Sequence, residues 1–500
     1  MLRAIVNRNR ALNSHPGQFR KQTGRSGLFL LLLLMISIGS SAATRNRAVS
    51  LDIQLRGVVY CTVELKTYRD GHWQRHEKYR ADAGRQGRVR FLLDSADLPG
   101  EFVIRYSYKV KAADDVYPAE QAVFISDQSI QVSVNPPFCN NADSVSFQRD
   151  ERENTLWQTF SADRARKLRQ LQLLRQLLLE YDHPQSSLYS ALKDEYRVRQ
   201  QVFNSWIARI RQKYTSYYIA SLIQFSHVPE EEFTASAHMP APSFVDAYLA
   251  KLDFSNPGII HTSAFVNWLT AYVNIFTENV KTQAILDTVV KSAAVRLLEV
   301  VRSGHPLVYG FVVDYFYEGF ERYGLTSATN VLAPYLQDPR CLTRKKREID
   351  RRIRGVQKLK PGVALRAVVQ EKEDGQIITH SLRHTDTHKR TLLVFYSTDC
   401  GHCTRLLSEL DVWYKTKDVA SDLQVITISV DDDRLKWSQY AARMKFAWDD
   451  GYAPGGINSE AAADYFVLST PAMFLSDHKA RLLSQPADIT ELMAKEKKKE

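Results

Sequence analysis

Cysteine is scarce, with five in 500 residues, and only Cys400 and Cys403 lie close together. That excludes a small disulfide-dense scaffold, whose stability comes from staples rather than from a core. Glycine and proline are few, 21 and 17, which excludes a collagen-like or low-complexity chain. A bilayer span is lacking too: the apolar run from Leu28 to Ile36 is far short of the roughly 18–20 residues a span needs. What remains is an ordinary globular composition, 44% apolar and 11% aromatic. At this length a prior of about three domains of roughly 100–200 residues applies.

Acids are absent from the start of the chain. Arg3, Arg8, Arg10, Arg20, Lys21 and Arg25 precede the apolar run unaccompanied and supply much of the formal charge of +11. Small residues follow it, Gly39-Ser40-Ser41-Ala42-Ala43. The pattern predicts a secretory signal over residues 1–43, cleaved after Ala42 or Ala43, and hence a periplasmic or otherwise extracytoplasmic protein. An uncleaved anchor is the rival reading. The mature chain is then only modestly basic, with no stable membrane span, and its charge does not argue for nucleic acid.

Three periodicities follow. Residues 51–137 alternate and turn like β-structure, with Gly57 to Val63, Val89 to Leu93, Glu101 to Tyr108, Ala122 to Ile125 and Ser129 to Val134 as strands, and predict a small β-sandwich. His72 and His76 lie beside the Asp70-Gly71 turn and read as solvated surface. Residues 148–355 change to helical spacing, as in Leu168, Leu171, Leu174 and Leu178, and predict an α-helical domain without a catalytic constellation. The basic stretch Arg344 to Arg354 has neither stacking aromatics nor a recognised module, so it reads as a solvated linker helix. Cys61 and Cys139 could bridge in an oxidising compartment, leaving Cys341 alone.

Residues 359–489 hold the chemistry. Arg390 to Ser397 reads as a buried strand that runs into Thr398-Asp399-Cys400-Gly401-His402-Cys403, and Leu406, Leu407, Leu410, Trp413 and Tyr414 then share one helical face. This places Cys400 at a helix N-terminus, where free N–H groups favour a thiolate, and Cys403 one turn inside. His402 as an imidazolium would stabilise that thiolate further. A zinc half-site is the competing reading of Cys-x-x-Cys, with His380, His384 and His388 as the nearest further ligands, but these read as a loop. Leu423 to Val430 is a second buried strand, and Asp431-Asp432-Asp433 read as acids capping the next helix.

Strand, Cys-Gly-His-Cys, helix, strand, helix, Thr470-Pro471 and hairpin together resemble the thioredoxin fold, and the segment from Asp431 to Tyr452 resembles the insertion of the TlpA/ResA-like extracytoplasmic branch. The resemblance implies a C-terminal α/β domain, with Pro471 a cis-proline facing the cysteines and Thr470 offering backbone groups to a bound chain. The sandwich and the helices resemble regions found ahead of it in large bacterial members. Two departures matter. The family's buried acid six residues before the first Cys is Val394 here, and the Glu some relatives carry three residues after the second is Leu406; Glu409 lies on the wrong side of the helix to replace either.

These readings converge on a thiol–disulfide oxidoreductase, a reductase or isomerase with catalytic Cys400, Cys403 and His402 and substrate-binding Thr470 and Pro471. No metal and no cofactor beyond the Cys400–Cys403 disulfide are expected. Its partners are protein thiols and disulfides and a membrane or periplasmic thiol donor. The alternative is a binding or assembly protein with an accessory or relic thioredoxin domain. A peroxidase is disfavoured because Tyr396-Ser397-Thr398-Asp399 lacks the proline such sites place ahead of their Cys.

Overall fold

Apolar residues at alternate positions build the first strands, and the computed structural model shows where they go. It describes residues 48–84, 86–229, 242–278, 280, 282–386, 389–415 and 422–497. The signal segment and His388 lie outside these. The chain divides into two compact units, Met1–Val312 and Val313–Glu500.

In the first unit, β1 (Ser50–Leu55), β4 (Arg88–Leu92), β7 (Ile130–Val134) and β8 (Val145–Phe147) form one sheet in the order β4-β1-β7-β8. A second sheet has the order β3-β2-β5-β6, from β2 (Tyr60–Arg69), β3 (His72–Asp82), β5 (Gly100–Lys109) and β6 (Tyr117–Ile125). Leu51, Ile53, Val89 and Val132 of the first sheet share a core with Val63, Phe102, Ile104 and Val123 of the second, so the β-region is a sandwich. His72 and His76 lie on β3, which starts directly after the Asp70-Gly71 turn; His72 is exposed and His76 Nε2 lies 2.7 Å from Thr67 Oγ1. Cys61 and Cys139 are separate buried thiols, so the possible bridge is not formed.

Helices α1 (Glu153–Glu180), α2 (Ser187–Lys213), α3 (Tyr218–Ile223), α4 (Pro242–Leu249), α5 (Ser263–Thr277) and α6 (Gln283–Val301) follow. Buried polar groups tie them to the sandwich. Asn154 gives and takes a 2.8 Å hydrogen bond with the Phe124 backbone, and the Glu101 carboxylate accepts from Ser263 N at 2.7 Å at the start of α5. The Glu153 carboxylate accepts from the first two amides of α3, Tyr218 N at 3.1 Å and Ile219 N at 2.9 Å, donors that a helix leaves unpaired. A Cβ on Gly258 would stand 2.6 Å from Pro99 Cγ, so glycine is what lets these elements approach.

After α7 (Pro306–Arg322) and α8 (Ala333–Leu336), the basic stretch becomes α9 (Lys346–Lys358). It is not a solvated linker: Ile349, Ile353 and Gly355 are buried, and Arg351 Nη1 donates to Ile457 O at 3.0 Å. The charges occupy one face and the apolar residues the other, which density of charge alone conceals.

The second unit holds a seven-stranded sheet among the described residues, ordered β10-β9-β13-β12-β11-β14-β15. Its strands are β9 (Val368–Glu371), β10 (Ile377–His380), β11 (Arg390–Tyr396), β12 (Leu423–Ser429), β13 (Asp449–Tyr452), β14 (Ala472–Ser476) and β15 (Leu482–Ser484). Central β11 pairs in parallel with β12 and antiparallel with β14. Together with α10 (Gly401–Tyr414), α11 (Arg434–Met444), α12 (Glu460–Asp464) and α13 (Ile489–Lys497), this is the thioredoxin-like arrangement, with β9, β10 and β13 added at one edge. No helix among the described residues is long and apolar enough to cross a membrane.

Candidate functional site

The seven residues of β11 are nearly all buried, so the strand is fixed from both faces and delivers its C-terminal end at one place on the sheet edge. The turn after it is held by Asp431. This buried carboxylate accepts from Ser397 Oγ at 2.5 Å, from Thr398 N at 3.0 Å and from Ser429 Oγ at 2.7 Å. Of the three consecutive acids, only Asp433 caps the next helix, accepting from Leu435 N at 2.9 Å and Lys436 N at 3.3 Å. Asp431 instead anchors the loop that leads to the cysteines, a role its sequence neighbours hide.

Cys400 is the N-cap of α10, and its sulfur accepts from Cys403 N at 3.2 Å. It is partly exposed and lies 3.4 Å from Thr470 O, on the cis Thr470–Pro471 peptide. Burial works against its thiolate. Hydrogen bonds from Cys403, from the Thr470 side chain and from the His402 backbone N–H outweigh that and hold the Cys400 pKa below the ordinary thiol value. Cys403 is fully buried; burial first, then its hydrogen bond to Cys400, pushes its pKa up to about 12. One turn of helix thus separates a stabilised thiolate from a reluctant thiol.

His402 contributes through its N–H. Its ring is exposed, with Nδ1 3.2 Å from Arg405 Nη2. Cys400, Cys403, Thr470 and Pro471 are brought together, and His402 sits at their rim. His380 and His384 are not part of the site: His380 ends strand β10 and contacts Gln370 at 2.5 Å, and His384 Nε2 lies 2.7 Å from Thr391 Oγ1. No group of three or more His, Cys, Asp or Glu among the described residues could hold a metal ion.

Val394 and Leu406 are both buried against Cys403 in one apolar cluster, so neither supplies a proton acceptor there, and Glu409 is exposed. An acid does lie on that side of the sheet. Asp450 on β13 accepts from Tyr396 Oη at 3.0 and 3.1 Å, from Thr427 Oγ1 at 2.6 Å and from Trp437 Nε1 at 3.1 Å, and burial raises its pKa to about 6. The sequence reading missed it because β13 is four residues long and starts on two acids. The signal available was Trp448-Asp449-Asp450-Gly451, acids flanked by an aromatic and a glycine. A Cβ on Gly451 would come 2.5 Å from the Gln370 side chain.

No family model and no curated protein matches this sequence. Solved structures share features with part of it. The C-terminal domain of a proposed thiol-disulfide oxidoreductase from Bacteroides thetaiotaomicron is 26% identical over 28% of this chain and 95% of that one, with a TM-score of 0.25. A thiol-disulfide oxidoreductase from Bacteroides fragilis is 23% identical over 28% and 98%, with a TM-score of 0.24. The thioredoxin domain of a thiol-disulfide oxidoreductase from Bacteroides vulgatus is 16% identical over 28% and 97%, with a TM-score of 0.25.

Proposed function

We propose that this protein is an extracytoplasmic thiol–disulfide oxidoreductase that reduces or rearranges disulfides of other proteins through Cys400 and Cys403. The observation that carries the reading is the inequality of the two thiols across one helical turn. The Cys400 thiolate attacks one sulfur of a substrate disulfide, forming a mixed disulfide and releasing the first substrate thiolate. Cys403 then loses its proton and attacks the Cys400 sulfur, which closes the Cys400–Cys403 disulfide and releases the second substrate thiolate. Two electrons have passed to the substrate, and a membrane or periplasmic dithiol returns them by the reverse exchange. Thr470 and Pro471 would hold the substrate chain beside Cys400, and the expected signal segment favours a site outside the cytoplasm.

Trapping tests this. Cys403→Ser leaves Cys400 able to attack and unable to finish, so reductant-sensitive adducts with extracytoplasmic proteins should accumulate, and Cys400→Ser should abolish them. Trapping by Cys400→Ser alone would reverse the two roles. Trapping by neither variant would favour the binding or assembly protein instead.

A further inference from the structure

The resolving step needs somewhere for the Cys403 proton to go, and the β11 position that would hold an acid holds Val394. The sheet register shows where an acid stands instead. Val394 pairs with Thr427 of β12, and Thr427 pairs with Asp450 of β13. Residues paired across neighbouring parallel strands point to the same face, so Val394, Thr427 and Asp450 form one row, with the carboxylate two strands over, roughly 10 Å away at about 4.8 Å per strand. Two residues beyond Val394 on that face, Tyr396 reaches back across the row to bond both Asp450 oxygens. Cys403 packs on this face, in one cluster with Val394, Tyr396, Trp437 and Tyr440.

Tyr440 supplies the second observation. It is 6% exposed, its ring lies 6.1 Å from that of Tyr396, and its hydroxyl is buried without a hydrogen-bond partner. Leaving a buried hydroxyl without a hydrogen bond is costly, so its retention at this point asks for a use. Burial raises the Tyr440 pKa, Arg443 lowers it, and the charges of Asp450 and Cys403 both raise it, so the hydroxyl feels the thiol and the carboxylate alike. Asp450 also reaches water. It lines a cavity of about 640 Å³ with Lys372, Trp437, Lys445, Phe446 and Trp448, and Lys445 at its rim is exposed.

We infer that Asp450 is the proton acceptor for Cys403, reached through the Tyr440 hydroxyl, and that the cavity beside it is where the proton passes to solvent. This rests on the oxidoreductase reading. As the Cys403 sulfur forms its bond to Cys400 and the substrate thiolate leaves, the Cys403 proton moves, through water, to the Tyr440 oxygen. The Tyr440 proton moves on, through water, to the Asp450 carboxylate, and from there to the cavity. Tyr396, Thr427 and Trp437 hold the carboxylate in place. The charged and titratable groups around this path are Lys372, Glu373 and Asp374 between β9 and β10, Asp449 on β13, Tyr396 on β11, Arg443 on α11, Lys445 just after it and Cys400 on α10. Lys372 binds the Asp449 carboxylate at 3.1 Å and the Asp450 carbonyl at 2.8 Å, so its ammonium favours the ionised Asp450 that the transfer requires.

Stopped-flow reaction of the reduced full chain with 5,5′-dithiobis(2-nitrobenzoate) separates the steps. The first thionitrobenzoate released reports attack by Cys400, and the second reports resolution by Cys403. The second phase should rise through an inflection near pH 6. In Asp450→Asn it should be at least tenfold slower above pH 7 and lose that inflection, Asp450→Glu should restore it, and Tyr440→Phe should slow it in the same way, all with the first phase within twofold of the parent. Tyr440→Phe removes only an unpartnered hydroxyl, so it stands as a test even if Asp450→Asn does not fold. An unchanged second phase in Tyr440→Phe overturns the relay. An unchanged second phase in Asp450→Asn, or equal slowing of both phases, overturns Asp450 as acceptor. Absence of the first phase from the parent protein defeats the oxidoreductase reading itself.

Discussion

The β-sandwich of the first unit and the central sheet of the second each bury a carboxylate and hold a pair of thiols, and they treat them in opposite ways. In the sandwich, Asp97 is met by cations, Arg69 at 3.2 Å and Lys78 at 3.7 Å, as well as by the Tyr79 hydroxyl at 2.8 Å. In the sheet, the donors to Asp450 are two hydroxyls and an indole, all neutral. The sandwich thiols are both discouraged, with burial raising Cys61 to about 12 and Cys139 in the same direction. The sheet thiols are split, with Cys400 lowered and Cys403 raised. Neutralised charge and thiols shifted in one direction serve packing. A carboxylate held by neutral donors and asymmetric thiols are what proton and electron transfer need, and a helix start rather than cysteine content makes the difference.

The sharpest way to break the comparison is to remove thiols from each region. Cys400→Ser should lower dithiothreitol-driven insulin reduction by roughly a thousandfold or more, because the attacking sulfur is gone. Cys61→Ser and Cys139→Ser should stay within about twofold, since buried structural thiols are inert. A comparable loss from either sandwich variant would show that the two pairs are coupled.

The carboxylates give the next largest effect. The folded pKa of Asp450 is raised from 3.8 to about 6, so its contribution to stability is full below pH 3.8 and is lost as pH rises through 6. That amounts to about 3 kcal/mol at about 1.4 kcal/mol per unit. Hydrogen exchange of the β12 amides should show protection falling over this window, and Asp450→Asn should flatten the fall. Asp97→Asn should instead destabilise the sandwich at neutral pH, where its two cations lose their partner.

A smaller effect compares the thiols directly. At pH 7 iodoacetamide should modify Cys400 about tenfold faster than Cys61 or Cys139 in the folded chain, with a midpoint below the ~8.5 of a free thiol, and denaturant should erase the difference. Mass spectrometry of the modified peptides reads it. Smallest is the redox poise. The Gly401-His402 dipeptide matches that of protein disulfide isomerase, so the couple should lie nearer about −180 mV than the −270 mV of thioredoxin. His402→Pro removes the N–H aimed at Cys400 and should make the couple more reducing by about 30 mV or more, equivalent to ~1.4 kcal/mol. His402→Ala keeps that N–H and should shift it less; equal shifts would return the effect to the imidazole.

Strands that alternate or stay apolar throughout were legible. The predicted Glu101 to Tyr108 and Leu423 to Val430 became β5 and β12 within two residues, and the helix start at Cys400 followed from a buried strand meeting Cys-x-x-Cys. Polar strands were not: β3 carries charge on an exposed edge, and β9, β10 and β13 are four residues each, too short for a period to show. The site divided along the same line. Cys400, Cys403, Thr470 and Pro471 lie in local motifs. Asp431 and Asp450 act across strand registers, and no local pattern distinguishes them from capping or surface acids.

The place of β1 has a consequence for synthesis. This strand lies inside its sheet, between β4 and β7, and Leu51 pairs in parallel with Ile130. One side of β1 must therefore wait for a segment made about 80 residues later, a delay of roughly 4–16 s at ribosomal rates of about 5–20 residues per second. Throughout that interval Leu51, Ile53 and Leu55 have no second sheet neighbour to cover them, and such non-local pairings close late. A chain that emerges N-terminus first is thus kept from completing its first domain early.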